Sequence, residues 1–276
     1  MFSLLNLQSL LGLVVIVAVC WAISENRRAF PWRLTVGAIG VQAALVLALF
    51  AIPGSQAVLA AVTGAVDGLA AATNEGTRFV FGYLAGGDQP YSVQNQGALF
   101  TFAFQVLPLI LVISALSALL WHWKVLKWIT HGFGFLFQRT MGLGGASALA
   151  VAANIFLGMI ESPIVIRAYL DKLTRSEIFL MMVVGLATVA GSTMVAYATL
   201  LSPVLTNAAG HVLVASIVSA PAGVLLARII IPETPGMGGA VADYNSALKY
   251  DSSIDAIVKG TSDGLMVVLN ISAVLI

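Results

Sequence analysis

Glu161 is the one ionisable side chain between Arg139 and Arg167. It lies in a breaker run, Gly158-Met159-Ile160-Glu161-Ser162-Pro163, inside the otherwise uncharged stretch TMGLGGASALAVAANIFLGMIESPIVI (140–166). At the centre of a bilayer an acidic side chain costs about 2.5–3.5 kcal/mol even on mild scales, so its retention there points to a functional site. The bland alternative is an arginine partner kept for stability; Arg167 is the basic residue nearest in sequence, roughly two helical turns on. Hydrolytic chemistry has little to work with, since there is no HExxH, no GxSxG and no aspartate pair. His122 and His131 lie in an aromatic, basic stretch with no third ligand nearby, which reads as interfacial polarity rather than a metal site. The single cysteine, Cys20, excludes an intrachain disulfide framework and a multi-cysteine zinc or iron–sulfur site.

The elements that position Glu161 must be membrane helices. Of 276 residues, 59% are hydrophobic and 9% charged, against about 25% charged in an ordinary soluble domain. The mean hydropathy is +0.98. Neither a soluble domain nor a disordered chain has this composition. The 13 Lys+Arg nearly balance 12 Asp+Glu, which argues against a nucleic-acid partner.

Charge-free stretches over 1–24, 34–66, 89–123 and 178–227 locate the crossings. With about 20 apolar residues needed per helix, they predict spans at 4–23, 34–52, 98–121, 178–201, 212–231 and 262–276, with the turn 202–211 carrying Pro203, Asn207 and Gly210. The first stretch reads as a retained span rather than a cleaved signal, because no Lys or Arg precedes Arg27. Val19 before Cys20 argues against a lipoprotein anchor. The fold class is an all-α polytopic membrane protein with about six transmembrane helices, a re-entrant helical hairpin and interfacial helices.

Lys/Arg bias sets the orientation. Arg27, Arg28 and Arg33 place the first loop in the cytoplasm, and Lys124, Lys127 and Arg139 follow on the same side. That arrangement needs 55–83, interrupted by Asp67, Asn74, Glu75 and Arg78, to lie as an interfacial helix on the outer surface; a crossing there would flip everything after it. The Trp- and Lys-rich stretch 121–139 is then an interfacial helix on the inner surface. Segment 140–166 is long enough to cross, yet basic residues flank both ends. A hairpin over 142–170 that enters and leaves by the cytoplasmic face keeps both flanks inside, so 12 of the 13 Lys+Arg are cytoplasmic. Pro163 suits the start of a second half-helix and Gly158 the end of the first. Non-helical backbone at membrane depth survives only where it is buried or lines a cavity, and such broken helices hold substrate in secondary transporters. The alternative is a single Pro-kinked span.

Three stretches carry a resemblance: NEGTRFVFG (74–82), ANIFLGMIESPIVIRAYL (153–170) and ATVAGSTMVAYA (187–198). They resemble the concentrative nucleoside transporters, ion-coupled importers of nucleosides in bacterial inner membranes and animal plasma membranes, and the likeness runs on to SDGLMVVLN (262–270). The resemblance implies a homotrimer in the lipid bilayer and no cofactor beyond a coupling ion. The family's hairpin tip reads Gly-Gln-Thr-Glu or Gly-Gln-Ser-Glu, facing the nucleobase. Here Glu161 matches, while Met159 and Ile160 replace the two polar residues. Each polar contact so lost removes about 1–3 kcal/mol of base recognition. The family's sodium ligands map onto Asn154, Leu157, Thr188 and Val189. Asn154 and Thr188 would contribute side-chain oxygens, Leu157 and Val189 backbone carbonyls freed near helix breaks. For Thr188 the competing role is a back-bond to its own helix. The proton-coupled branch lacks the asparagine, so Asn154 favours sodium over protons.

The resemblance also divides the chain into an N-terminal scaffold (1–97), a recognition and gate region (98–200) and the start of a C-terminal transporter domain (201–276). The family continues with a second, inverted half that supplies another glutamate and the ribose contacts, so the sequence reads as the amino-terminal part of a longer protein. A sodium-coupled nucleoside importer of the inner membrane is the expected function. An intramembrane enzyme and a channel-like or structural subunit are the competing classes.

Overall fold

The computed structural model describes residues 4–50, 54–92, 99–157, 159, 162, 165–202, 204–233 and 249–276. These form a helical assembly in the order α1 (Leu4–Ala22), α2 (Trp32–Phe50), α3 (Ser55–Phe81), α4 (Phe102–Gln105), α5 (Leu107–His122), α6 (Val125–Met141), α7 (Gly145–Asn154), α8 (Arg175–Ala187), α9 (Gly191–Leu201), α10 (Ala208–Ile230) and α11 (Ser253–Leu275). Short 3-10 turns cover Gly82–Ala85 and Arg167–Lys172. Among the described residues four stretches are long and apolar enough to cross a membrane: Trp32–Leu49, Phe102–His122, Ala208–Ile230 and Ser253–Leu275. α1, free of charge, and the pair α8–α9 occupy the other two expected spans.

Two expected spans need correction. The stretch 178–201 is not one helix: α8 stops at Ala187, Thr188 is extended (φ −102°, ψ 161°), and α9 starts at Gly191. Apolar composition cannot reveal this break, because it is held by tertiary hydrogen bonds to the freed backbone. The last helix begins at Ser253 rather than 262. Ser252 caps it by accepting from the Asp255 N–H at 3.1 Å, and Lys259 pairs with Asp255 at 2.9 Å one turn on. Polar first turns of this kind lie outside a hydropathy window.

α7 is the hub of the core. Every residue from Ala146 to Asn154 is buried, as befits a helix packed on all sides. Its small side chains, GASALAVAAN, allow close approach by neighbours. One side meets Ala38, Phe137, Leu180 and Val224 in the larger core cluster; the other meets Trp121, Leu126, Val165 and Met181. α11 lies against α5 through Gly260 and Gly264. A Cβ on Gly260 would stand 2.7 Å from Ala118 Cβ and 2.8 Å from the Ser114 carbonyl, so this GxxxG crossing tolerates nothing larger than glycine.

The chain doubles back after α7. Ser162 Oγ donates to the Ala150 carbonyl at 2.7 Å, whereas twelve residues of continuous helix would separate the two by about 18 Å. At the base, Ser147 in the first turn of α7 donates to Glu177 Oε1 at 3.1 Å in the first turn of α8. Residues 147 and 177 therefore sit at the same level, and the segment between them is a hairpin rather than a Pro-kinked span.

A buried ionic cluster fastens that base. Thr174 and Glu177 form a capping box on α8. Arg228 at the end of α10 pairs with Glu233 and donates to Ser176 Oγ at 2.7 Å, and Thr174 Oγ1 donates to Glu233 Oε1 at 2.7 Å. Glu177 is 1% exposed and Arg228 7%. With every member of the cluster hydrogen-bonded, the desolvation of its charges is offset by contacts within it.

Candidate cation and substrate site

The site is assembled where two helices break beside each other. α7 ends at Asn154, and the chain unwinds through Ile155, Phe156 and Leu157. The freed carbonyls find partners across the gap: Asn154 O accepts from Thr188 Oγ1 at 3.0 Å, and Phe156 O accepts from the Gly191 N–H at 3.0 Å. A Cβ on Gly191 would meet the Phe156 oxygen at 3.1 Å, so glycine permits this approach. On the other side of the gap, Val189 N–H donates to Ser216 Oγ of α10 at 3.1 Å.

Asn154 is 2% exposed. Its Nδ2 donates to the Met181 carbonyl at 3.3 Å, whereas its Oδ1 is buried with no hydrogen-bond partner among the described residues. A buried orphan acceptor is rare in a folded protein and calls for a ligand, a water or an ion. Thr188 serves two oxygens. Its hydroxyl lies 2.9 Å from Val184 O, the back-bond expected of a helical threonine, and 3.0 Å from Asn154 O. With a single proton it donates to one of them at a time.

The structure thus brings Asn154 and Thr188 into direct contact, with Val189 next in the chain. Leu157 lies buried three residues past Asn154 in the same unwound stretch. Of the tip residues, Met159 is 55% exposed, while Ile160 and Glu161 lie outside the described residues. Met159 Cβ sits where a Cβ on Gly185 of α8 would come within 2.8 Å, and the same position would be 3.6 Å from both amide atoms of Asn154. Gly185 is therefore the shared wall between the tip and the asparagine.

Sequence reasoning missed Gly185, Gly191 and Ser216. Ser216 left one signal, a hydroxyl midway along an apolar span; the two glycines left none apart from their place near a break. It also missed the Glu177–Arg228–Glu233 cluster, whose members lie far apart in sequence.

Three family models match in chain order: the N-terminus of Na+-dependent nucleoside transporters over residues 11–84, a nucleoside recognition domain over 103–204, and the C-terminus of Na+-dependent nucleoside transporters over 211–276. The chain belongs to the Na+-dependent nucleoside transporter family. The nucleoside permease NupC of Helicobacter pylori is 35% identical over 98% of this chain and 62% of its own length. The sodium/nucleoside cotransporter 1 of Rattus norvegicus is 31% identical over 98% of this chain and 40% of its own. A solved structure of CNTnw in an inward-facing substrate-bound state superposes with a TM-score of 0.83 at 31% identity, covering 98% of this chain and 61% of that one. The chain thus spans about 62% of the length of the bacterial relatives it matches. Membership of this transporter family and the apolar helices make it a multi-pass protein of the cell's inner membrane.

Proposed function

We propose that this transporter imports nucleosides coupled to sodium, and that Asn154, Leu157, Thr188 and Val189 surround the ion. The observation that carries the reading is the orphaned Asn154 Oδ1, buried on a residue whose own backbone carbonyl meets the Thr188 hydroxyl where the two helices break. The donor set is neutral oxygen throughout. Hard oxygen ligands at a helix break suit a small hard cation, and a cation there removes the penalty of about 1–3 kcal/mol for an unsatisfied buried acceptor. A proton carried on a side chain would instead need a titratable group, and neither Asn nor Thr is one.

On this reading Glu161 and Met159 with Ile160 face the nucleoside at the hairpin tip, next to the ion. Glu161 accepts hydrogen bonds from donors on the base, and the two apolar neighbours pack against its face. The protein acts as a transporter rather than an enzyme, and the family resemblance supports a homotrimer in the bilayer.

Asn154→Ala tests the coupling. Hydrogen bonds and ligand contacts to charged groups contribute about 1.5–3 kcal/mol, so apparent sodium affinity for uptake of labelled nucleoside should fall tenfold or more in the full-length transporter. Sodium dependence unchanged by the substitution, or uptake driven by a proton gradient alone, would refute sodium coupling at this site.

A further inference from the structure

We infer that Ser216 is a positioning residue of the cation site, holding Val189 by both its N–H and its carbonyl. The inference rests on the cation-site reading above. Ser216 lies midway along α10 and is 1% exposed. Serines and threonines in apolar helices commonly back-bond to their own helix, as Thr199 does to Val195 O at 2.9 Å. Ser216 reaches across instead. Its Oγ accepts from Val189 N–H at 3.1 Å and lies 3.3 Å from Val189 O and 3.5 Å from Ile155 O. Ile155 belongs to the unwound end of α7, and Val189 to the break between α8 and α9. One hydroxyl on a third helix therefore touches both breaks.

The consequence is geometric. Thr188 N–H closes the α8 ladder on Val184 O at 3.0 Å, whereas Val189 lies beyond it, so no helical ladder fixes the Val189 peptide. Fixing the N–H and carbonyl of one residue fixes its two dihedrals, and with them the direction of the Val189 oxygen. Without Ser216 the Val189 N–H is left without its partner, and the peptide is free to turn toward any other acceptor. The carbonyl then no longer points at the ion, and binding must supply the ordering that Ser216 now provides.

The test compares Ser216→Ala, Asn154→Ala and a control, Ser147→Ala, in the full-length transporter. Ser147 is also a buried serine, bonded to Glu177 at 3.1 Å but far along α7 from the break. Two quantities are read: sodium concentration for half-maximal uptake, and sodium-dependent thermal protection of the purified protein. Ser216→Ala should raise the half-maximal sodium about three- to tenfold, with the nucleoside KM at saturating sodium unchanged. Ser147→Ala should lower thermal stability and leave the sodium response in place. Should Ser216→Ala assemble poorly, Ser216→Cys keeps the volume and a weak donor and should shift sodium in the same direction by less. If Asn154→Ala shifts the sodium response and neither Ser216 variant does, the positioning role is overturned while the site stands. If Asn154→Ala also leaves it unchanged, the site itself falls. A sodium shift as large in Ser147→Ala as in Ser216→Ala reduces Ser216 to general packing and overturns the inference as well.

Discussion

Gly185→Ala separates stability from function at the hairpin tip. The added Cβ would stand 2.8 Å from Met159 Cβ and 3.6 Å from the Asn154 amide atoms. Carbon atoms prefer about 3.5–4.0 Å, so the tip must retreat by about 1 Å relative to α8. Met159 Cβ is fixed to the backbone, and no rotamer change relieves the contact. Overpacking of this kind costs about 1–3 kcal/mol. Gly185 lies inside α8, however, and alanine there regains about 1 kcal/mol of helix propensity. The two effects largely cancel, and thermal stability in detergent should fall by no more than about 2 kcal/mol. Function should not be so protected, because reacting or binding groups displaced by about 1 Å can lose up to two orders of magnitude. Uptake at saturating sodium should show the nucleoside KM raised tenfold or more, while Asn154, at ordinary contact distance, keeps its sodium response within a few fold. Met159→Gly removes the opposing Cβ along with a proposed nucleoside contact, so it should weaken affinity by itself yet make Gly185→Ala far less harmful, and a double-mutant cycle should give a coupling of at least about 1 kcal/mol between the two positions. Normal nucleoside affinity in Gly185→Ala, or zero coupling in the cycle, would refute the claim that α8 sets the position of the tip.

Two further outcomes follow from the hairpin base. Arg228→Ala leaves the buried Glu177 and the partly buried Glu233 without their cation and should destabilise the protein by about 3 kcal/mol, read as a lowered melting temperature and poor recovery of folded protein; a melting temperature within a degree or two of the parent would contradict the ionic cluster. Single cysteines at Arg139 and Lys172 should both react with an impermeant thiol reagent applied from the cytoplasm, and labelling of either from the outside only would contradict the orientation drawn from Lys/Arg bias.

The membrane class, the approximate spans and the hairpin were legible because each has a one-dimensional signature. Charge-free runs mark crossings, and the basic residues at both flanks of 140–166 argue against a simple crossing, which the contacts of Ser162 with Ala150 and Ser147 with Glu177 then rule out. The position of Asn154 was legible only through resemblance, since a lone asparagine in an Ala-rich segment has no local signature. The break at Thr188 was invisible to composition for a physical reason. Thr188, Val189 and Ala190 are as apolar as their neighbours, and what keeps them out of helix is hydrogen bonding from residues more than 25 positions away, Ser216 to Val189 and Phe156 to Gly191. The buried cluster was hidden in the same way. Thr174 with Glu177 is readable as a helix cap, but nothing in the sequence says that Arg228 and Glu233 come to it from the far end of another span.

A broken helix in a membrane exposes polar backbone that must be satisfied, and the way this protein satisfies it suggests how ion and substrate become linked. Thr188, Gly191 and Ser216 each supply a partner to an otherwise freed group, so backbone groups at both breaks are paired before any ligand arrives. Asn154 Oδ1 is left over, and it sits against the same glycine wall that carries Met159 at the tip. On the proposed reading, an ion drawn to Asn154 therefore acts on a structure with little slack. α8 cannot move relative to α7 without changing both the oxygen cage and the distance to the tip. Coupling in this arrangement needs no long relay, because the residue that would hold the ion and the residue that would meet the nucleoside are separated by the thickness of one glycine.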